Sequence, residues 1–269
     1  MSLTHEQIER YSRQIVLKEI GGIGQEKLLK ATITIIGCGG LGSPVAYYLT
    51  AAGIGKLKLI DFDVVDLSNL HRQILHFTND IGKKKTKSAM EKLHKLNPDV
   101  EIEVINEILL PNNIREILGG SDFVIDGSDN IPTKMLINDA CIQLNIPFSI
   151  AGVVRFNGQI ITVNPNEKTA CYRCVFGDIT ENNSTMSCSQ AGVIGLIPGI
   201  VGSIQANEAI KSVLNIGDLI TNRMLFLDLL KYRFSFINVT RNEKCLACGN
   251  NAVDLVDTHD YRIGDACFE

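Results

Sequence analysis

The sequence has no apolar run approaching the ~20 residues that a membrane-crossing helix needs. Its opening stretch, MSLTHEQIERYSRQ, is polar and charged where a secretory signal would be apolar. Membrane and secreted classes are set aside, and a cytoplasmic protein with no membrane partner is expected. A basic excess is also missing. The 26 Lys and Arg residues are outnumbered by 30 Asp and Glu, a formal charge of −4, so no nucleic-acid partner is expected. In a reducing compartment the eight cysteines read as thiols, metal ligands or catalysts rather than a disulfide framework. No internal repeat and no low-complexity linker interrupts the chain.

What is present is the composition of a folded globule, 45% apolar and 21% charged over 269 residues, enough to bury a full α/β core. Residues 1–30 alternate polar and apolar positions at helical spacing and are broken by Gly21, Gly22 and Gly24, which predicts two or three short helices. A β-rich run over 32–36, a glycine loop, a helix over 43–52 and a strand over 56–60 then form a βαβ unit. Helices over 83–96, 112–118 and 132–144 alternate with strands over 101–105, 122–126 and 147–151. This alternation predicts a Rossmann-like, doubly wound and largely parallel sheet. After Ala151 come a strand over 159–163, a polar stretch over 170–191, an apolar helix over 197–214 and a hairpin over 224–238. We expect antiparallel strands there to extend the same sheet within one domain spanning 1–269: N-terminal helices (1–30), a nucleotide-binding half (31–151) and a second half (152–269).

Gly37, Gly39, Gly40 and Gly42, in the run GCGGLG, lie between a strand and a helix. There glycines let the backbone approach phosphate and the helix N-terminus supplies N–H donors. Asp61 ends the next strand, where a carboxylate can accept from ribose hydroxyls. These features alone fit any adenine dinucleotide or nucleotide, a nicotinamide oxidoreductase included. The run DFDVVDLSNLHRQ over 61–73 and the lysines Lys83, Lys84 and Lys85 shift the balance toward a triphosphate. Arg72 and Lys85 are placed to hold an α-phosphate, whereas Lys83 and Lys84 read as solvated. Asp126 to Asn130, DGSDN, follows a strand, and Asp129 suits Mg²⁺ bridging phosphate oxygens. Asp126 reads as a strand terminator and cap.

These motifs, with Arg10-Tyr-Ser-Arg13-Gln before them, resemble the ubiquitin-activating-like adenylyltransferases of the HesA/MoeB/ThiF family over nearly the whole chain. The resemblance implies that Gly40 and Asp61 bind ATP and that Ser68, Asn69, Arg72 and Lys85 surround its phosphates. Asp129 would serve the magnesium, and Asn130 belongs to the nucleotide-binding set. It implies that Arg13 reaches into the neighbouring subunit's site of a homodimer. The implied reaction adenylates the C-terminal Gly-Gly carboxylate of a ubiquitin-like, MoaD- or ThiS-like sulfur carrier. Positioned cations and in-line geometry suffice for it.

Cys171-x-x-Cys174 and Cys245-x-x-Cys248 suit a tetrahedral Zn²⁺, with thioredoxin-like redox chemistry the competing reading of one such pair. The family carries the same four-cysteine structural site, so zinc is expected. Cys188 lies just before the apolar helix and matches the cysteine that relatives place in the loop crossing the active site; it is a candidate for covalent carrier chemistry. Cys38 and Cys141 lie on predicted core elements and read as inert. His71 sits beside Arg72, and His76 belongs to no evident constellation. Two further readings remain, a non-catalytic binding subunit and a tRNA-modifying relative. The phosphate-side residues speak against the first, the acidic charge and paired C-x-x-C motifs against the second. The chain ends soon after Cys248, leaving no room for a rhodanese-like domain of ~100 residues, so a separate sulfur donor, a cysteine desulfurase or rhodanese, is expected.

Overall fold

The computed structural model of the chain describes residues 3–177 and 192–261. Three short helices, α1 (His5–Arg10), α2 (Ser12–Ile15) and α3 (Gly21–Leu28), precede β1 (Thr32–Ile36) and α4 (Gly42–Ala52). Then follow β2 (Lys56–Ile60), α5 (Lys85–Leu96), β3 (Glu101–Ile105), α6 (Ile114–Leu118), β4 (Phe123–Asp126), α7 (Ile131–Leu144) and β5 (Phe148–Val154). The remainder is β6 (Asn157–Val163), α8 (Tyr172–Phe176), α9 (Leu196–Leu214) and the hairpin β7 (Arg223–Asp228) and β8 (Arg233–Asn238).

One eight-stranded sheet has the order β3-β2-β1-β4-β5-β6-β7-β8. The first five strands are parallel, and from the β5–β6 pair onward every pairing is antiparallel. The second half therefore extends the sheet, as the sequence leads one to expect. Parallel strands covered on both faces read as apolar runs, and β1 and β4 show why. Ile33, Ile35, Phe123 and Ile125 join one core with α4, α5 and α9, while Ile36 and Val124 turn to a second core with α7. Strand order reverses between β1 and β4, and the crevice outside their carboxyl ends is the position where such sheets bind ligands.

The main departure is at the start of α5, which begins at Lys85 rather than residue 83. Lys83 and Lys84 instead pair with the loop after β2: Val65 N–H donates to Lys83 O at 2.8 Å, and Val64 and Lys84 form an antiparallel bridge. Lys84 becomes the N-cap of the helix, with its ammonium donating to Phe62 O at 2.7 Å, and Lys83 pairs with Asp80 and Glu91.

Candidate active site

The glycine loop has two kinds of glycine. Gly37 has φ +89°, and a Cβ there would stand 2.9 Å from Gly127 O; at Gly42 a Cβ would stand 1.8 Å from Gly37 O. Both are demanded by the fold itself. Gly40 faces outward, where a Cβ would be 3.2 Å from Pro198 and 3.6 Å from Arg72 Cγ. The stem of Arg72 therefore runs beside the loop that opens α4.

Asp61 clamps this loop. Its Oδ2 accepts from Cys38 N–H at 2.8 Å and its Oδ1 from Asp63 N–H at 2.9 Å. Burial raises its pKa, and the Lys85 charge and the two backbone N–H groups pull it back. Both oxygens are thus engaged by the backbone, each with a lone pair left over. From Asp61 the chain turns through Asp66, whose Oδ1 caps a 3₁₀ turn over Leu67–Asn69 by accepting from Ser68 N–H at 2.7 Å. Asn69 O then receives Arg72 N–H and Gln73 N–H, both at 3.0 Å. Arg72 Nη1 donates to Ser68 O at 3.2 Å and lies 2.7 Å from His71 Nε2; its guanidinium meets no carboxylate among the described residues. Lys85 is 5% exposed and donates to Asp63 Oδ2 at 2.7 Å. The structure thus gathers Gly40, Asp61, Ser68, Asn69, Arg72 and Lys85 around one crevice.

Across the crevice, Gly127 N–H donates to Ile36 O at 2.7 Å, joining the DGSDN loop to β1. Asp126 is fully buried and pairs with Lys134 at 2.6 Å, and Lys134 also donates to Ser128 O and Ala151 O, each at 2.7 Å. A buried pair with all three ammonium hydrogens used braces the loop. Asn130 Oδ1 caps α7 by accepting from Thr133 N–H at 2.9 Å. Asp129 is exposed and has no partner among the described residues, which leaves its carboxylate open to a cation.

Arg13 is not brought to this crevice within the chain. It lies exposed on α2, which is tied to the far end of α4: Gln14 Nε2 donates to Ala52 O at 3.1 Å, and a Cβ on Gly53 would strike the Tyr11 ring at 2.5 Å. The eleven residues of α4 separate that end from the glycine loop by about 16 Å. Cys188 lies outside the described residues.

The four cysteines of the two C-x-x-C pairs come together. Cys171 and Cys174 sit at and within α8, Cys245 and Cys248 follow β8, and the four sulfurs lie within 4.8 Å of one another. Separations of 3.8 Å for Cys171–Cys174, 3.7 Å for Cys171–Cys245 and 3.4 Å for Cys174–Cys248 approach the ~3.8 Å edge of a tetrahedron with metal–sulfur bonds of ~2.3 Å. The Asn242 N–H donates to Cys174 Sγ at 3.3 Å. Around the cluster, Arg173 pairs with Asp139 on α7 at 2.7 Å, and Tyr172 N–H donates to Asn138 Oδ1 at 2.8 Å. The donor set fits a closed, four-thiolate metal site.

Two participants escape sequence reasoning: Lys134 and His76. His76 Nε2 lies 2.9 Å from Cys38 O and Nδ1 lies 2.9 Å from Ser88 Oγ. A carbonyl only accepts, so Nε2 carries the proton. Burial, with Lys85 and Lys92 nearby, pushes the His76 pKa down to about 4 and keeps the ring neutral. The Cys38 peptide is therefore held on one side by Asp61 and on the other by His76. Its thiol is buried, which raises its pKa well above the ordinary range, in keeping with an inert side chain. None of these roles has a local sequence signal.

Comparison with known proteins adds the following. The model of the ThiF family matches residues 11–247. The SAMP-activating enzyme E1 of Haloferax volcanii is 40% identical, covering 97% of this chain and 96% of its own. The sulfur carrier protein adenylyltransferase of Thermus thermophilus is likewise 40% identical, over 96% of this chain and 97% of its own. The Xenopus laevis protein named adenylyltransferase and sulfurtransferase MOCS3 is 42% identical, and the chain spans about half of it, 55%. Among solved structures, Escherichia coli MccB with ATP superposes with a TM-score of 0.78 at 28% identity, covering 90% of this chain and 75% of that one.

Proposed function

This chain belongs to the ThiF family, and from that premise we propose that it is an ATP-dependent adenylyltransferase that activates the C-terminal Gly-Gly carboxylate of a ubiquitin-like sulfur carrier. The observation that carries the reading is the crevice between β1 and β4, where Arg72 and Asp129 stand without opposite charges beside a glycine loop and the buried Lys85. Of two relatives of matching length, one is named a SAMP-activating enzyme E1 and the other a sulfur carrier protein adenylyltransferase.

The chemistry asks little of the enzyme beyond placement. A carrier carboxylate oxygen forms a bond to the α-phosphorus of ATP as the bond to the bridging oxygen breaks, and pyrophosphate leaves with that electron pair. Charge gathers on the phosphoryl oxygens, and Arg72 and Lys85 are assigned to stabilise it. Gly39 and Gly40 admit the phosphates, and Asp61, Ser68, Asn69 and Asn130 form the surrounding polar wall. Asp129 would hold Mg²⁺, which would supply further charge neutralisation there. Cys171, Cys174, Cys245 and Cys248 would hold Zn²⁺, which would serve a structural role. Cys188 is retained as a candidate for later covalent carrier chemistry.

Arg13 completes the site from a second subunit. Its distance from the crevice in its own chain calls for a partner copy, and an exposed apolar face supports one. Tyr48, Ile74, Leu196 and Ile200 line a hollow beside the crevice, with Tyr48 59% and Leu196 64% exposed. Among the described residues no helix is long and apolar enough to cross a membrane, and we assign the protein to the cytoplasm, where four thiolates persist. Sulfur reaches the activated carrier from a separate donor, a cysteine desulfurase or rhodanese.

The test is isotope exchange between pyrophosphate and ATP, with mass spectrometry of the carrier. MoaD-like and ThiS-like carriers are each supplied, and one of them is expected to stimulate exchange and gain the mass of AMP. Cofactor-dependent hydride transfer without exchange would overturn the reading in favour of an oxidoreductase. A second measurement addresses the dimer. Arg13→Ala and Arg72→Ala variants, each inactive alone, are expected to recover part of the activity when mixed, because a hybrid dimer holds one intact site. No recovery on mixing would show that Arg13 does not act across the interface.

A further inference from the structure

The N-terminal arm is held to its own chain by a single buried side chain. Of residues 3–23 only Tyr11 is buried; α1 and α2, on either side of it, contribute no buried residue. Its ring lies against Gly53, which ends α4 with φ +79°, and a Cβ there would stand 2.5 Å from the ring. Its hydroxyl accepts from Asn97 Nδ2 at 2.8 Å, and the same amide donates to Thr50 O at 2.9 Å. The socket is thus made by the last turn of α4 and the residue that ends α5. The arm's other ties are polar and mostly at the surface. Gln7 Nε2 donates to Asp99 Oδ2 at 3.3 Å, Arg10 Nη1 to Leu96 O at 3.2 Å, and Gln14 Nε2 to Ala52 O at 3.1 Å. Bonds in competition with water hold less firmly than a buried ring.

The rest of the arm faces away from its own chain. Val16 is 72% and Ile23 78% exposed, and Ile8 and Leu17 are exposed as well, apolar side chains that the chain does not cover. Arg13 lies between them in sequence, exposed and without a hydrogen bond or ion pair among the described residues. A helix of four residues, such as α2, has no stability of its own to place a cation. Its position has to come from whatever fixes its first turn. Tyr11 is the N-cap of α2, and its carbonyl accepts from Gln14 N–H and Ile15 N–H, both at 2.9 Å.

We propose that Tyr11 is a positioning residue for the reaction: its ring, seated on Gly53, sets the arm so that Arg13 reaches the crevice of a partner copy. This rests on the reading of Arg13 as acting across a dimer. Tyr11 sits at the far end of α4 from its own glycine loop. The defect made by removing it therefore belongs to the neighbour's site and not to its own.

The experiment is a complementation test on the full-length protein, with hybrid dimers isolated through two different tags. Carrier-stimulated exchange between pyrophosphate and ATP is the readout. Tyr11→Ala is expected to lose about 10²-fold in exchange, the scale of a group misplaced from a distance, with an ATP affinity matching that of Arg13→Ala. Tyr11→Phe keeps the ring and should stay within about threefold of the original. Gly53→Ala, whose methyl presses on the ring from the other side, should behave as Tyr11→Ala does. The Tyr11→Ala/Arg72→Ala hybrid is expected to recover about half of the original activity, because one crevice then has its own Arg72 and an intact arm facing it. The Tyr11→Ala/Arg13→Ala hybrid should recover none, because every crevice then meets a defective arm. Recovery in that second hybrid overturns the proposal, as does no recovery with Arg72→Ala while the Arg13→Ala/Arg72→Ala hybrid recovers. Undiminished exchange by Tyr11→Ala, or an ATP affinity well below that of Arg13→Ala, overturns it too. If the Arg13→Ala/Arg72→Ala hybrid itself stays inactive, the reading across the dimer fails, and this inference with it.

Discussion

Arg72 and Asp129 stand at the strand ends with no opposite charge among the described residues. Midway along α7, by contrast, Asp139 receives Arg173 in a bidentate pair and also Tyr261 OH, and each of the four cysteines lies beside another. The first region leaves polar groups open; the second closes them on one another. Charge left facing solvent stays available to a bound substrate, whereas closed charge contributes to order alone. The comparison separates the residues that do chemistry from those that hold the chain, and α7 carries both: Lys134 braces the crevice loop, while Asn138 and Asp139 anchor the C-x-x-C turn.

The largest expected effect falls on the closed region. Cys174→Ser is expected to abolish the zinc content, about one ion per chain by elemental analysis, and to cause gross loss of thermal stability, since a four-thiolate site contributes folding energy outright. Retention of both the metal and the melting midpoint would show the cluster to be something other than a structural metal site. Next in size is Lys134→Met, which strands Asp126 as a buried charge and is expected to cost about 3–5 kcal/mol in denaturant unfolding. The double variant with Asp126→Asn should recover much of that loss, because both charges are then gone.

Arg72→Ala belongs to the open region and should behave in the opposite way. Exchange activity is expected to fall by about 10²–10³, some 2.7–4 kcal/mol in the barrier, with the unfolding midpoint nearly unchanged. An equal loss of stability would erase the distinction between the regions.

His76 gives a smaller effect, visible as pH dependence. Its folded pKa, about 4, lies below its ordinary value of 6.5, so the neutral ring is favoured in the native state. Its contribution is fully present above pH ~6.5 and is lost as pH falls toward about 4. His76→Gln should flatten the stability profile in that window. Asp80, held below the ordinary carboxylate range by Lys92, Phe77 N–H and Lys83 despite its burial, titrates below it. The smallest effect is expected from Lys83→Ala, whose pairs with Asp80 and Glu91, each at 3.2 Å, are screened by solvent, so the denaturant midpoint should hardly move.

Much of the crevice was legible beforehand because its motifs are local. GCGGLG must sit between a strand and a helix, Asp61 must end β2, and DGSDN must follow β4, so the sheet's topology assembles them. The boundary at Lys85 was not legible. Helical periodicity runs on through residues 83 and 84, but pairing with Val64 and Val65 pulls those two out of the helix. In the sequence Asp126 reads as a strand terminator, and nothing local marks Lys134 as its buried partner, because a lysine in a helix normally faces water.

By itself the sequence determined the order of elements, the phosphate-type loop and the two C-x-x-C pairs, because backbone geometry and short spacings act within a few residues. It also placed the chain in its family, through motifs held in one linear order. Only the tertiary structure decided that residues 171 and 174 meet 245 and 248, that Arg13 sits at the far end of α4 from the glycine loop, and that Lys134 is the buried partner of Asp126. Those outcomes depend on contacts between segments far apart in the chain, where packing rather than local pattern fixes which groups are satisfied and which are left for a ligand.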